Sequence, residues 1–77
     1  METILIRLET QGRRGKAVTT LQGFTRSADD LEDLARRLKV KCGSGGTVKG
    51  SMIEIQGDVR LRLKGLLVAE GFHVKGV

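Results

Sequence analysis

The sequence predicts an α+β fold: a two-layer sandwich of order β-β-α-β-β-α-β, with two helices packed on one face of a mostly antiparallel sheet. Three observations carry this. Short stretches alternate or are rich in β-branched residues, while two longer ones carry apolar residues at helical spacing. The links between the first and second strands, and between the third and fourth, are too short for a crossover, so both pairs are hairpins. Two helices can cover only one face of such a sheet.

Residues 3–9 form the first strand, with Ile4, Ile6 and Leu8 on one face and Leu5, Arg7 and Glu9 on the other. Residues 10–15 hold two glycines and form a turn, and 16–22 form the second strand. Ser27 fits an N-cap, with Asp30 three residues on. Leu31, Leu34, Ala35 and Leu38 then place a helix over 28–40, acidic at its start and basic at its end, as the macrodipole favours. Gly43 ends it as a left-handed cap. Thr47 and Val48 form a short strand, Gly50 and Ser51 a turn, and 52–56 a strand in which Ile53 and Ile55 alternate with Glu54 and Gln56.

Gly57 breaks that strand, and Asp58 is placed to cap a helix over 59–70, with Val59, Leu63, Leu66 and Leu67 inward and Leu61 and Val68 off the stripe. Gly65 within this helix has no reason visible in the sequence. Gly71 closes it, and Phe72, His73 and Val74 begin a last strand with Phe72 and Val74 inward. Between the first helix and the third strand, Gly43, Gly45 and Gly46 make a structural turn in which Gly45 or Gly46 is expected at positive φ.

The 77 residues make one domain, 1–77. A domain this small buries only about 60–65% of its unfolded surface. With no Trp, Tyr or Pro and only Phe24 and Phe72 as aromatics, its core is aliphatic. Fourteen Lys and Arg against nine Asp and Glu give a net charge of +5, which favours a polyanionic partner. Cys42 is the sole cysteine, so there is no disulfide framework. No signal peptide or membrane span is legible, and a reducing cytoplasm fits.

An enzyme is not expected. His73 is the only histidine, and strand alternation points it to solvent. Cys42 has cations beside it, which can lower a thiol pKa, but it sits at the carboxyl end of a helix, the wrong end for a thiolate. No metal-ligand spacing and no cofactor motif appears. Gly43-Ser44-Gly45-Gly46 could cradle a phosphate, but a strand follows it, and the Lys-Ser/Thr ending of a P-loop is missing. The cations are more informative. Arg13, Arg14 and Lys16 crowd a hairpin tip, and Arg36, Arg37, Lys39, Lys41 and Lys49 surround the second glycine turn. Both clusters offer phosphate contacts. The shortage of aromatics argues for recognition of structured RNA by shape and backbone rather than base stacking.

Three stretches carry a resemblance: Gly15-Lys16-Ala17-Val18-Thr19-Thr20-Leu21-Gln22-Gly23, Gly43-Ser44-Gly45-Gly46-Thr47-Val48-Lys49, and Ile53-Glu54-Ile55-Gln56-Gly57-Asp58 with Arg60. In order and spacing the chain resembles the translation initiation factor one family, the eukaryotic and archaeal start-codon-selection factors and their bacterial homologues. The compact glycine turn looks more bacterial and archaeal than eukaryotic. The resemblance implies a non-enzymatic, monomeric, cytoplasmic protein. It would bind the rRNA of the small ribosomal subunit near the P site and influence initiator tRNA and start-codon selection on mRNA. Arg13, Arg14 and Lys16 map to the family's basic hairpin loop, and Arg36, Arg37, Lys39, Lys41 and Lys49 to the first helix and the segment after it. Many members carry an unstructured basic amino-terminal tail; this chain begins at its first strand, so that role is expected to be absent or supplied otherwise. Two alternatives are a stand-alone RNA-binding or stress-related module docking on ribosomes, and a small-molecule regulatory domain, which the Arg-Arg-Gly-Lys tip disfavours.

Overall fold

In the computed structural model, residues 2–10 and 16–77 are described. The chain runs β1 (Thr3–Glu9), β2 (Val18–Gln22), α1 (Ala28–Cys42), β3 (Gly46–Lys49), β4 (Met52–Gln56), α2 (Arg60–Ala69) and β5 (His73–Lys75). The strands form one sheet of order β3-β4-β2-β1-β5. Every pairing is antiparallel except β1 with β5, which is parallel. The fold class and the element order are those the sequence predicts.

Strand alternation and register decide what each face holds. Ile6 stands opposite Leu21, and Leu21 and Val48 both stand opposite Ile53, so these side chains share one face. There they meet Leu31, Leu34, Ala35 and Leu38 of α1 and Leu63 and Leu67 of α2 in a single buried cluster. The helix α1 lies over β3 and β4, and α2 over β1 and β5. Phe24 and Phe72 meet edge to face, with ring centroids 5.6 Å apart, at one border of this core. The opposite sheet face carries the row Thr47, Glu54, Thr20 and Arg7 and, among the described residues, no helix.

The differences from expectation lie at element ends. The second strand begins at Val18, not at 16; the first helix runs on to Cys42; and the last strand begins after Phe72. Asp58 is not the N-cap of α2, and its side chain accepts from the first helical N–H, that of Arg60, only at 3.5 Å. Val59 holds the N-cap position without a side-chain bond of its own, and Asp58 instead grips Arg60, two residues on, at 2.9 and 3.0 Å. A bidentate guanidinium is the stronger partner for that carboxylate. The buried hydroxyl of Thr19 on β2 takes over the cap, accepting from Val59 N–H at 3.1 Å and donating to the Gly57 carbonyl at 2.8 Å.

The glycine turn also works differently. Positive φ falls on Gly43, at 63°, and on neither Gly45 nor Gly46. Gly46 is instead the first residue of β3, and a Cβ there would collide with the Glu54 carbonyl oxygen and lie 2.9 Å from Ile55 Cδ1. Its requirement is close backbone approach, not left-handed geometry.

Candidate nucleic-acid interface

The topology gathers separate stretches at one end of the sheet. β1 ends there at Glu9, and β2 starts there at Val18. β4 ends there at Gln56, and β3 starts at Gly46. Backbone bonds tie the stretches together: Gln56 N–H donates to the Gly45 carbonyl and Gly57 N–H to the Ala17 carbonyl, each at 2.8 Å. The carboxyl end of α1 joins this end through Gly43, whose cap is completed by Ser44 N–H donating to the Lys39 carbonyl at 3.1 Å. Lys16, Lys39 and Lys41 therefore stand at one end of the molecule. Among the described residues none of the three is in an ion pair. Arg13 and Arg14 lie outside the described residues, between the strand ends that emerge here.

A further cation belongs to this group. Arg62 of α2 donates Nε and Nη2 to the Lys41 carbonyl at 3.1 and 3.0 Å. It fastens the start of α2 to the end of α1, and among the described residues its charge meets no carboxylate. Sequence reasoning missed it. The signal was present: Arg60, Arg62 and Lys64 occupy the first half of a helix, where the macrodipole disfavours cations, and the flanking Asp58 accounts for Arg60 alone.

Other expected contributors are placed apart. Arg36 is bound to Asp33 on α1. Arg37 bridges Asp33 at 3.2 Å and Glu70 at 2.7 Å, so it clamps α1 to the end of α2. Glu70 is the main reason the Arg37 guanidinium holds its proton even more tightly than usual, and the Arg36 guanidinium draws the Asp33 carboxyl below its ordinary range. Lys49 projects on the helix-free sheet face, 3.4 Å from Glu54 Oε1. Burial pushes the Cys42 thiol pKa up, against the pull of Arg62, so the cations beside it do not yield a thiolate. His73 is exposed, and no helix among the described residues is long and apolar enough to cross a membrane.

With this geometry in place, the comparison with known proteins is decisive for the family. The family model for translation initiation factor SUI1 matches residues 1–73. The chain belongs to the translation initiation factor SUI1 family. It is 49% identical over 72 residues to the uncharacterized protein YciH of Escherichia coli, which covers 94% of this chain and 67% of that protein. It is 48% identical over 63 residues, 82% of this chain and 61% of the relative, to a protein translation factor SUI1 homolog of Methanocaldococcus jannaschii. A Haemophilus influenzae protein is 46% identical over 72 residues, covering 94% of this chain and 68% of that relative. All three stretches on which the resemblance rested fall within the SUI1 match, and they hold the ends of β2, β3 and β4 that meet at this end of the sheet.

Proposed function

We propose that this SUI1-family chain acts as one domain, residues 1–77, that binds the small ribosomal subunit near the P site through rRNA phosphates. By binding one state of the subunit more tightly than another it biases initiator tRNA and start-codon selection on mRNA. It does so as a cytoplasmic monomer, by shape and charge rather than catalysis, with no cofactor or metal, no membrane and no small-molecule substrate. The observation that supports this reading is the convergence of Lys16, Lys39, Lys41 and Arg62 at one end of the sheet, beside the strand ends that lead to Arg13 and Arg14. Cations free of carboxylates are those available to phosphate. Arg36, Arg37 and Lys49 contribute only by exchanging an existing partner.

Sedimentation with purified 30S subunits over a salt series tests this, with and without mRNA and initiator tRNA. Each phosphate contact adds about −0.7 to −0.9 to the slope of log affinity against log salt. Lys39→Ala with Lys41→Ala is expected to flatten the slope by about 1.5 on that scale and to leave the melting temperature nearly unchanged. Affinity indifferent to salt sinks the RNA reading. Binding that ignores mRNA and initiator tRNA favours the ribosome-docking module without an initiation role.

A further inference from the structure

The outer face of α2 is not built for water. Leu63 and Leu67 are buried beneath the helix, yet Leu61 and Val68 on its opposite side are 77% and 54% exposed. Positions 61, 65 and 68 recur at the spacing that lines one helical face, so Gly65 sits between these two apolar side chains. Gly65 has no reason within the chain. It is absent from the glycines at positive φ, and a Cβ built there meets nothing within 4 Å. Glycine weakens a helix interior relative to alanine, so the sequence keeps a disfavoured residue where the fold would accept a side chain. An external cause remains: a missing Cβ lets another backbone come close.

Charge identifies what approaches. Lys64 and Arg62 flank the stripe on its two sides, bonded only to the carbonyls of Val77 and Lys41 among the described residues, and α2 holds no acidic residue from Arg60 to Ala69. A second copy of the chain packing α2 on α2 would set these cations against themselves, because a two-fold contact pairs a patch with its own image. RNA phosphates would satisfy the cations but gain nothing from Leu61 and Val68. Beside Leu61 lies an open depression of about 470 Å³, lined by Val59 and Val77 and rimmed by the paired Asp58 and Arg60 and by Arg62, roomy enough for a side chain of the partner. We infer that the outer face of α2 docks an acidic amphipathic helix of a protein partner, its apolar stripe crossing at Gly65 and its carboxylates meeting Arg62 and Lys64. Arg62 borders both this surface and the phosphate-binding end, but Leu61, Gly65 and Val68 lie outside that end, so the assignment does not depend on that reading.

Amide chemical shifts of the intact isotope-labelled chain test the assignment. The probes are a synthetic helix of roughly five turns with leucines along one face and glutamates elsewhere, the same peptide with lysine for glutamate, and an RNA hairpin. The acidic peptide is expected to shift the amides of residues 61–69 and to bind at least about tenfold tighter than its lysine counterpart. Gly65→Gln is expected to keep or raise the melting temperature, since glutamine is the better helix former, while weakening the acidic peptide about tenfold. Leu61→Ser is expected to weaken it similarly with no loss of fold. Shifts confined to other elements overturn the proposal, as does a Gly65→Gln chain that binds like the parent. An RNA hairpin that shifts residues 61, 65 and 68 and displaces the peptide assigns this face to RNA instead.

Discussion

The two helices lie side by side on the same sheet, yet they are started by opposite means. For α1 the cap is local: Ser27 Oγ accepts from Asp30 N–H at 3.2 Å, acids fill the first turn, lysines the last, and Gly43 turns the chain out. For α2 there is no local cap, no acid in its first turn and no base in its last. The N–H of its N-cap residue, Val59, is met by Thr19, whose hydroxyl is supplied from 40 residues earlier in the sequence. Local signals are sufficient to specify α1, whereas α2 exists because the sheet is already there to cap it and to bury Leu63 and Leu67. Most helical stability in proteins comes from such packing rather than propensity. A helix that relies on its inner face and a borrowed cap leaves its outer face free for other uses, and on α2 that face carries the exposed Leu61 and Val68 between Arg62 and Lys64.

Removing the borrowed cap should break this contrast most severely. Thr19→Val keeps the shape and strands two partners, the Val59 N–H and the Gly57 carbonyl, in a buried setting. A buried group left unpaired costs about 1–3 kcal/mol, so a loss within or somewhat above that range is expected by chemical denaturation. Hydrogen exchange should accelerate first in α2. Equal acceleration in both helices would mean that the cap serves the fold at large.

The local cap is expected to matter less. Ser27→Ala should cost about 1 kcal/mol, with exchange accelerating at the start of α1. Asp58→Ala is the matched control, because Asp58 bonds chiefly the Arg60 guanidinium and reaches the helix end only through a long 3.5 Å bond from Arg60 N–H. It should leave α2 nearly intact, where a sequence-based cap at Asp58 would require a loss like that of Ser27→Ala.

The same distinction explains what could be read in advance. The strands, both helices and the α1 caps are local patterns, and they were legible. The Thr19 cap was not, because Thr19 looks like any β-branched strand residue until β2 is set beside the start of α2. Gly46 looked like a turn glycine for the same reason: its constraint is a Glu54 carbonyl eight residues on, brought close by the β3–β4 pairing. Charge could be counted but not its pairing. Arg36 and Arg37 seemed as available as Lys39 and Lys41 until Asp33 and Glu70 were seen to hold them, and Arg62 gained its place only when α2 was folded against Lys41.

The smallest effect sharpens the comparison from the other side, because the approach to α1 has one long-range element. Glu2, just before β1, accepts from Thr25 Oγ1 and Arg26 Nε at 3.0 Å each, and from Thr25 N–H as well. Arg26 in turn lies over the Phe72 ring, 4.7 Å from its centre. The Thr25 backbone bond first, and Arg26 next, hold the Glu2 carboxyl below its usual pKa. A carboxyl depressed in the folded state binds its proton less readily there than in the unfolded chain. Its stabilisation is therefore complete above the unfolded value, about 4.3, and disappears as pH falls through the folded one. Glu2→Gln keeps the shape and removes the charge. Because Glu2 lies near the surface, where solvent screens such pairs, the expected cost at pH 7 is no more than about 1 kcal/mol. That gap should close as the pH is lowered below about 4, where the parent loses what the variant never had. Urea titrations of both proteins at pH 7 and at pH 2.5 measure it. A difference that persists unchanged at the lower pH would assign the effect to packing of the side chain, and the approach to α1 would then be as purely local as its cap.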